Sequence, residues 1–124
     1  MHPIEEYPAL IAQAARTLNQ VEAFLSQHRA EIAQVEAMAD CKVAFDPDLK
    51  NEQQRKARRA EILGSSVYSK LCDLAEATQQ QRAEILVTLE QLRGEFSVAR
   101  LQAKADLAAQ LTASPLALSI ESEC

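Results

Sequence analysis

The fold is decided by the stretch ILVTLEQLRGEFSVARLQA, residues 85–103. Its apolar residues recur at alternating steps of four and three positions, which places them in one stripe along an α-helix, the seam of a heptad repeat. Such a stripe is stable only against another helix, so the stretch predicts a chain organised around helix packing. The members of this C-terminal seam are Ile85, Leu89, Leu92, Phe96, Ala99 and Ala103.

A second stripe of the same period runs through the N-terminal third of the chain. It includes one polar residue, His28, and a polar residue at a seam position can fix the register and the oligomeric state of packed helices. Two seams in one chain predict an antiparallel helical hairpin or coiled coil. The members of this N-terminal seam are Ile11, Ala14, Leu18, Val21, Leu25, His28, Ile32, Val35 and Ala39.

Proline and capping residues predict where the first helix begins and ends and where the second helix begins. Pro8 suits the first turn of a helix, because its missing N–H would have no partner there. Pro47 forces the preceding residue out of the helical region, so the turn Asp46-Pro47-Asp48 ends the first helix. Asn51 and Gln54 have the spacing of a capping box, which predicts that a second helix starts near Asn51.

The remaining boundaries come from Gly64-Ser65-Ser66 and from Ser114-Pro115. Glycine often follows a helix and serine often caps one, so the first of these segments either separates two helices or kinks a single one. Ser114-Pro115 stops the last helix. We therefore predict an all-α chain, with helices over about 8–40, 51–63 and 66–112, in one domain of residues 1–113 with a flexible tail over 114–124.

The composition indicates a thin core. Aromatic residues make up 4 % of the chain and tryptophan is absent, although large side chains supply most of the burial free energy at ~25 cal/mol per Å². The last predicted helix, at roughly 65–70 Å, is also longer than the first, at about 50 Å. We therefore expect a homo-oligomeric helical bundle, with a seam between copies formed by Ile85, Leu89, Leu92 and Phe96.

The charge and the cysteines narrow the class of protein. A net charge of −5 argues against a protein that coats nucleic acid by bulk charge. Cys41, Cys72 and Cys124 lack the spacing of a metal site or a redox pair, which is typical of reduced cytosolic thiols. No apolar run approaches the ~20 residues that span a bilayer, and no signal segment opens the chain. We expect a cytoplasmic protein with no membrane contact, metal or cofactor.

The basic segment, residues 50–59, is the most unusual local feature. It holds five of the thirteen basic residues. Three of its arginines share one helical face and could bind phosphates or an acidic partner protein. Alternatively, the cations form a solvated face that pairs with acids of the first helix or of another subunit. No aromatic residue interleaves with them, so stacking on single-stranded bases is not indicated. The candidate binding residues are Lys50, Arg55, Lys56, Arg58 and Arg59.

No catalytic arrangement is recognisable in the sequence. A Gly-rich phosphate loop and a GxSxG elbow are both absent. Asp46-Pro47-Asp48 could open a calcium loop, but Ala57 stands where the bidentate glutamate is required. We therefore expect a protein that is not an enzyme.

Two segments resemble small uncharacterised proteins of tailed phages and prophages. These proteins pair an LxNExxRKA segment with a long helix ending in LRxEFxxxR; here the corresponding residues are 48–57 and 92–100, with Tyr68 between them. The resemblance implies a mobile-element origin and a non-enzymatic role near DNA replication or recombination. We therefore predict a self-associating helical adaptor that binds a partner protein. The alternatives are a nucleic-acid-binding accessory protein that uses residues 50–59 and a structural subunit of an assembly.

Overall fold

The computed structural model describes residues 2–113, and helices make up nearly all of them. A short 3-10 turn, Ile4–Glu6, precedes three α-helices: α1 (Tyr7–Ala44), α2 (Glu52–Leu63) and α3 (Ser66–Ala113). Residues 2–113 contain no strand, so the all-α prediction is confirmed. The tail predicted over residues 114–124 lies outside the described residues.

The turn between α1 and α2 closes with the predicted capping residue. The Asn51 side chain accepts a hydrogen bond from the Gln54 backbone N–H at 2.8 Å, which satisfies one free donor of the first turn. The Gln54 side chain accepts from the N–H of Lys50, at 2.8 Å, and not from that of Asn51 as in a standard capping box. The predicted start of α2 is therefore right, although the reciprocal bond is shifted by one residue.

The segment Gly64-Ser65-Ser66 separates two helices. The Gly64 N–H donates to the Ala60 carbonyl at 2.9 Å and closes α2, while the Ser65 hydroxyl accepts from the Tyr68 N–H at 3.4 Å and caps α3. The φ of Gly64 is −74°, which any residue can adopt. A break is therefore the correct alternative, and serine capping contributes to it more than glycine flexibility does.

Side-chain packing divides the described chain into two compact units. The first contains residues 2–15 and 87–113, and the second contains residues 16–86. The division falls inside α1 and inside α3, at points where the sequence has no proline or glycine. The expectation of one domain over residues 1–113 stays a prediction.

In the second unit, α1 and α3 are antiparallel. Contacts between them pair increasing residue numbers on α1 with decreasing numbers on α3, as in Glu22–Arg82 and Glu36–Tyr68. The seam predicted from Ile11 to Ala39 is buried or partly buried at every member. His28 is among them, and its Nδ1 atom is buried without a hydrogen-bond partner.

The first unit is centred on Tyr7, whose side chain is fully buried. The Tyr7 ring stacks on Phe96 with 5.6 Å between ring centroids, and its hydroxyl donates to Glu95 Oε1 at 3.1 Å. The C-terminal seam is covered from Leu89 to Ala99, but Ala103 is exposed. Within one chain the cover ends near Phe96, because Tyr7 packs there and few described residues precede Tyr7.

Candidate functional site

The structure places the cations of the basic segment in different settings. The Arg59 Nε donates to Asp40 Oδ1 at 2.6 Å, which joins α2 to α1. This hydrogen bond raises the pKa of the Arg59 guanidinium. Arg58 forms an ion pair at 3.2 Å with Glu61, within α2. Arg59 thus follows the alternative interpretation, in which the cations pair with acids of the first helix. Both Arg59 and Asp40 belong to the second unit.

Arg55 and Lys56 differ from the two paired arginines, because no described residue forms an ion pair with either of them. Lys50 precedes α2, where its backbone N–H serves the cap. Of the three arginines predicted to act together, only Arg55 is therefore left without a carboxylate partner in the described chain. The Lys50 side chain has no ion pair among residues 2–113 either, so Arg55 and Lys56 are the two cations of α2 itself that lack one.

These two cations lie beside an apolar surface at the corner between α1 and α2. They line a shallow depression of about 220 Å³ together with Val43 and Ala44 of α1 and with Asp40, Glu52 and Arg59. Phe45, directly after α1, is 82 % exposed. We call Val43, Ala44, Phe45, Arg55 and Lys56 the corner surface.

Phe45 is a residue that sequence reasoning missed. Phe45 lies two positions after Val43, the last buried residue of α1. It therefore does not lie on the buried side of the helix. An aromatic residue out of register beside a proline turn is the signal that could have found it. Phe45 directly follows Ala44, which lines the same depression as Arg55 and Lys56.

Tyr68 links the start of α3 to α1. Its hydroxyl donates to Glu36 Oε1 at 2.7 Å. This hydrogen bond, together with desolvation and the neighbouring Cys72, raises the pKa of Tyr68 to about 12. The contact stabilises the neutral phenol and indicates a structural role for Tyr68, one of the residues that carry the resemblance to phage proteins.

A larger cavity of about 480 Å³ lies between α1 and α3 in the second unit. Two arginines line it, and each is held by a residue of the opposite helix. The Arg82 Nε donates to Glu22 at 3.2 Å, and the Arg29 Nη2 donates to Gln79 at 2.7 Å. The arginines thus have partners already, so this cavity is weaker as a binding site than the corner surface.

The residues predicted to join copies of the chain are covered within one chain. Leu89 is 4 % exposed, and Ile85, Leu92 and Phe96 are partly buried. The role of these four residues in joining copies stays a prediction. The large apolar side chains that remain exposed on the C-terminal half of α3 are Val98, Leu101, Leu107 and Leu111.

No group of three or more His, Cys, Asp or Glu side chains among residues 2–113 is placed to hold a metal ion. Cys41 and Cys72 are free thiols. None of the described helices has the length and apolarity needed to cross a membrane.

Comparison with protein-family models, curated proteins and solved structures finds no match to this chain. The resemblance to phage proteins therefore stays a prediction.

Proposed function

We propose that this chain is a non-enzymatic helical adaptor whose corner surface binds an acidic segment of a partner protein. One observation carries the proposal: Arg55 and Lys56, which have no ion-pair partner among residues 2–113, line a depression with Val43 and Ala44, and an exposed Phe45 directly follows Ala44. Aromatic and arginine side chains are the residues that contribute most to protein–protein binding.

The corner surface supports a ligand with two chemical features. An apolar side chain of the partner would cover Phe45 and the floor formed by Val43 and Ala44, and burying such surface contributes ~25 cal/mol per Å². A carboxylate beside it would accept charge-assisted hydrogen bonds from Arg55, which can bind both carboxylate oxygens at once. The proposed setting is the cytoplasm of a cell that carries a phage or prophage, as the resemblance implies.

Photo-crosslinking in cells that express the chain tests the proposal. A variant with Phe45→benzoylphenylalanine should form one discrete protein adduct, and adding Arg55→Gln and Lys56→Gln should abolish it. The matched control is Val67→benzoylphenylalanine, at another exposed apolar position, which should not form that adduct. An adduct that persists without the two cations, or that forms equally at position 67, would refute the proposal.

Nucleic-acid binding is the second candidate, because Lys50, Arg55, Lys56 and Arg58 all lie at the surface around α2. A labelled duplex should then bind with a log–log salt slope of about −0.9 per phosphate contact. Fluorescence anisotropy between low and moderate salt measures that slope. Absence of binding at low salt, or nuclease resistance of the crosslinked adduct at position 45, would favour the protein partner.

A further inference from the structure

The C-terminal end of α3 carries a face that the described chain leaves uncovered. Every residue from 100 to 113 is exposed. Two cations and two leucines follow one another at steps of four, three and four residues, so they share one side of the helix. We call this set the terminal face; it consists of Arg100, Lys104, Leu107 and Leu111.

The terminal face continues the pattern by which α3 is packed elsewhere. Upstream, the seam from Leu89 to Phe96 is covered by residues that include Tyr7. Leu107 lies eleven residues after Phe96, about three helical turns along, so it falls on nearly the same side. Leu107 is nevertheless 56 % exposed and Leu111 is 60 % exposed. The spacing is that of a stripe that packs against another helix.

The charge on the terminal face indicates the character of that helix. Arg100 lies over the Phe96 ring, with 5.5 Å from its guanidinium carbon to the ring centroid, and no described residue forms an ion pair with it or with Lys104. The nearby acid, Asp106, accepts a hydrogen bond from Gln102 and lies away from this face. The face thus presents positive charge without a carboxylate.

We propose that the terminal face binds an amphipathic helix of a partner protein that carries acidic residues beside its apolar stripe. A helix with glutamates next to its leucines would cover Leu107 and Leu111 and pair with Arg100 and Lys104. A second copy of this chain fits less well, since a parallel pair would bring its like cations together and an antiparallel pair would set Arg100 and Lys104 against Leu111 and Leu107. The proposal is independent of the corner surface.

Binding of two designed peptides to the full chain tests it. The acidic probe is a fluorescein-labelled helix of four Leu-Glu-Glu-Leu repeats, and the basic probe has lysine in place of glutamate. Fluorescence anisotropy should show binding of the acidic probe and not of the basic one. The affinity for the acidic probe should fall about tenfold or more in each of two double variants. One is Arg100→Gln with Lys104→Gln, and the other is Leu107→Ser with Leu111→Ser.

Matched variants separate this face from other surfaces. Lys70→Gln with Arg93→Gln removes two exposed cations elsewhere on α3 and should leave the affinity unchanged. Circular dichroism should show unaltered helix content throughout.

Three results would overturn the proposal. The first is equal binding of the two probes, and the second is binding that is insensitive to the terminal-face variants. The third is sedimentation showing a dimer that Leu107→Ser with Leu111→Ser dissociates, which would assign the face to a second copy.

Discussion

Tyr7 shows how one residue can hold an end of a helix. Its ring is fully buried against Phe96, and its hydroxyl both donates to Glu95 and accepts from the His2 backbone N–H at 3.3 Å. It precedes Ile11 by four positions and so extends the N-terminal seam by one member. The seam therefore begins one step earlier than the periodicity from Ile11 onwards indicated.

Tyr7→Ala should lower the free energy of unfolding by about 3–5 kcal/mol, because it removes a buried aromatic ring and leaves a cavity. Tyr7→Phe keeps the ring and removes the hydrogen bonds, so it should lower it by about 1 kcal/mol. Urea unfolding followed by circular dichroism measures both values. Equal effects of the two variants would show that the hydroxyl, and not ring packing, is the main contribution of Tyr7.

Tyr68 makes the protein sensitive to alkaline pH. Its pKa is raised to about 12 in the folded chain, against an ordinary value of about 10. The folded state therefore favours the protonated phenol. The stabilisation is fully present below about pH 10 and is lost as the pH rises towards 12. In Tyr7→Phe, which isolates Tyr68, the tyrosinate absorbance should rise near pH 12; a rise near pH 10 would show that the bond to Glu36 does not hold in solution.

At the scale of the elements, α3 continues through Gly94 without a break. Glycine costs about 1 kcal/mol relative to alanine inside a helix, because its backbone loses more freedom on folding. A Cβ built at Gly94 would meet nothing within 4 Å. Gly94→Ala should therefore raise the free energy of unfolding by about 0.5–1 kcal/mol.

Thermal and urea unfolding would measure the effect of Gly94→Ala. The control is Gly64→Ala, where a Cβ would lie 3.2 Å from the Ala60 carbonyl oxygen. In Gly64→Ala the free energy of unfolding should rise by less than in Gly94→Ala, or should fall. A loss of stability in Gly94→Ala would indicate that this position contacts something beyond the described chain, such as a second copy.

At the scale of the whole molecule, the question is whether the C-terminal seam holds one chain together or joins copies. Leu92 is partly buried within the chain, near Leu89 and Phe96 along the same stripe. Leu92→Asp places a carboxylate there, which costs several kcal/mol when it has no partner. We expect this variant to lose helix content at every protein concentration.

Sedimentation together with circular dichroism distinguishes the two roles of Leu92. If the seam joined copies, Leu92→Asp would sediment as a folded monomer while the wild type sedimented as an oligomer. A wild type that is monodisperse and monomeric at micromolar concentration would end the prediction of a homo-oligomer. Leu107→Ser with Leu111→Ser is the matched change on an exposed part of α3 and should leave helix content intact.

The sequence by itself determined the features that depend on neighbouring residues. Helix formation, the cap at Asn51 and the break before Ser66 follow from backbone preferences and hydrogen bonds that reach only a few positions. The side of α1 that is buried, from Ile11 to Ala39, also follows, because periodicity alone selects a helical face. These features were predicted to within a few residues.

The tertiary structure decided which surfaces cover one another. A heptad stripe is equally compatible with a helix of its own chain and with one of another copy, so the cover on Leu89 could not be read from spacing. The partner of Arg59 is Asp40, nineteen positions earlier, and periodicity carries no information about such a pair. The same holds for Val43 and Ala44, which line one depression with Arg55 and Lys56 because α2 packs back against the end of α1.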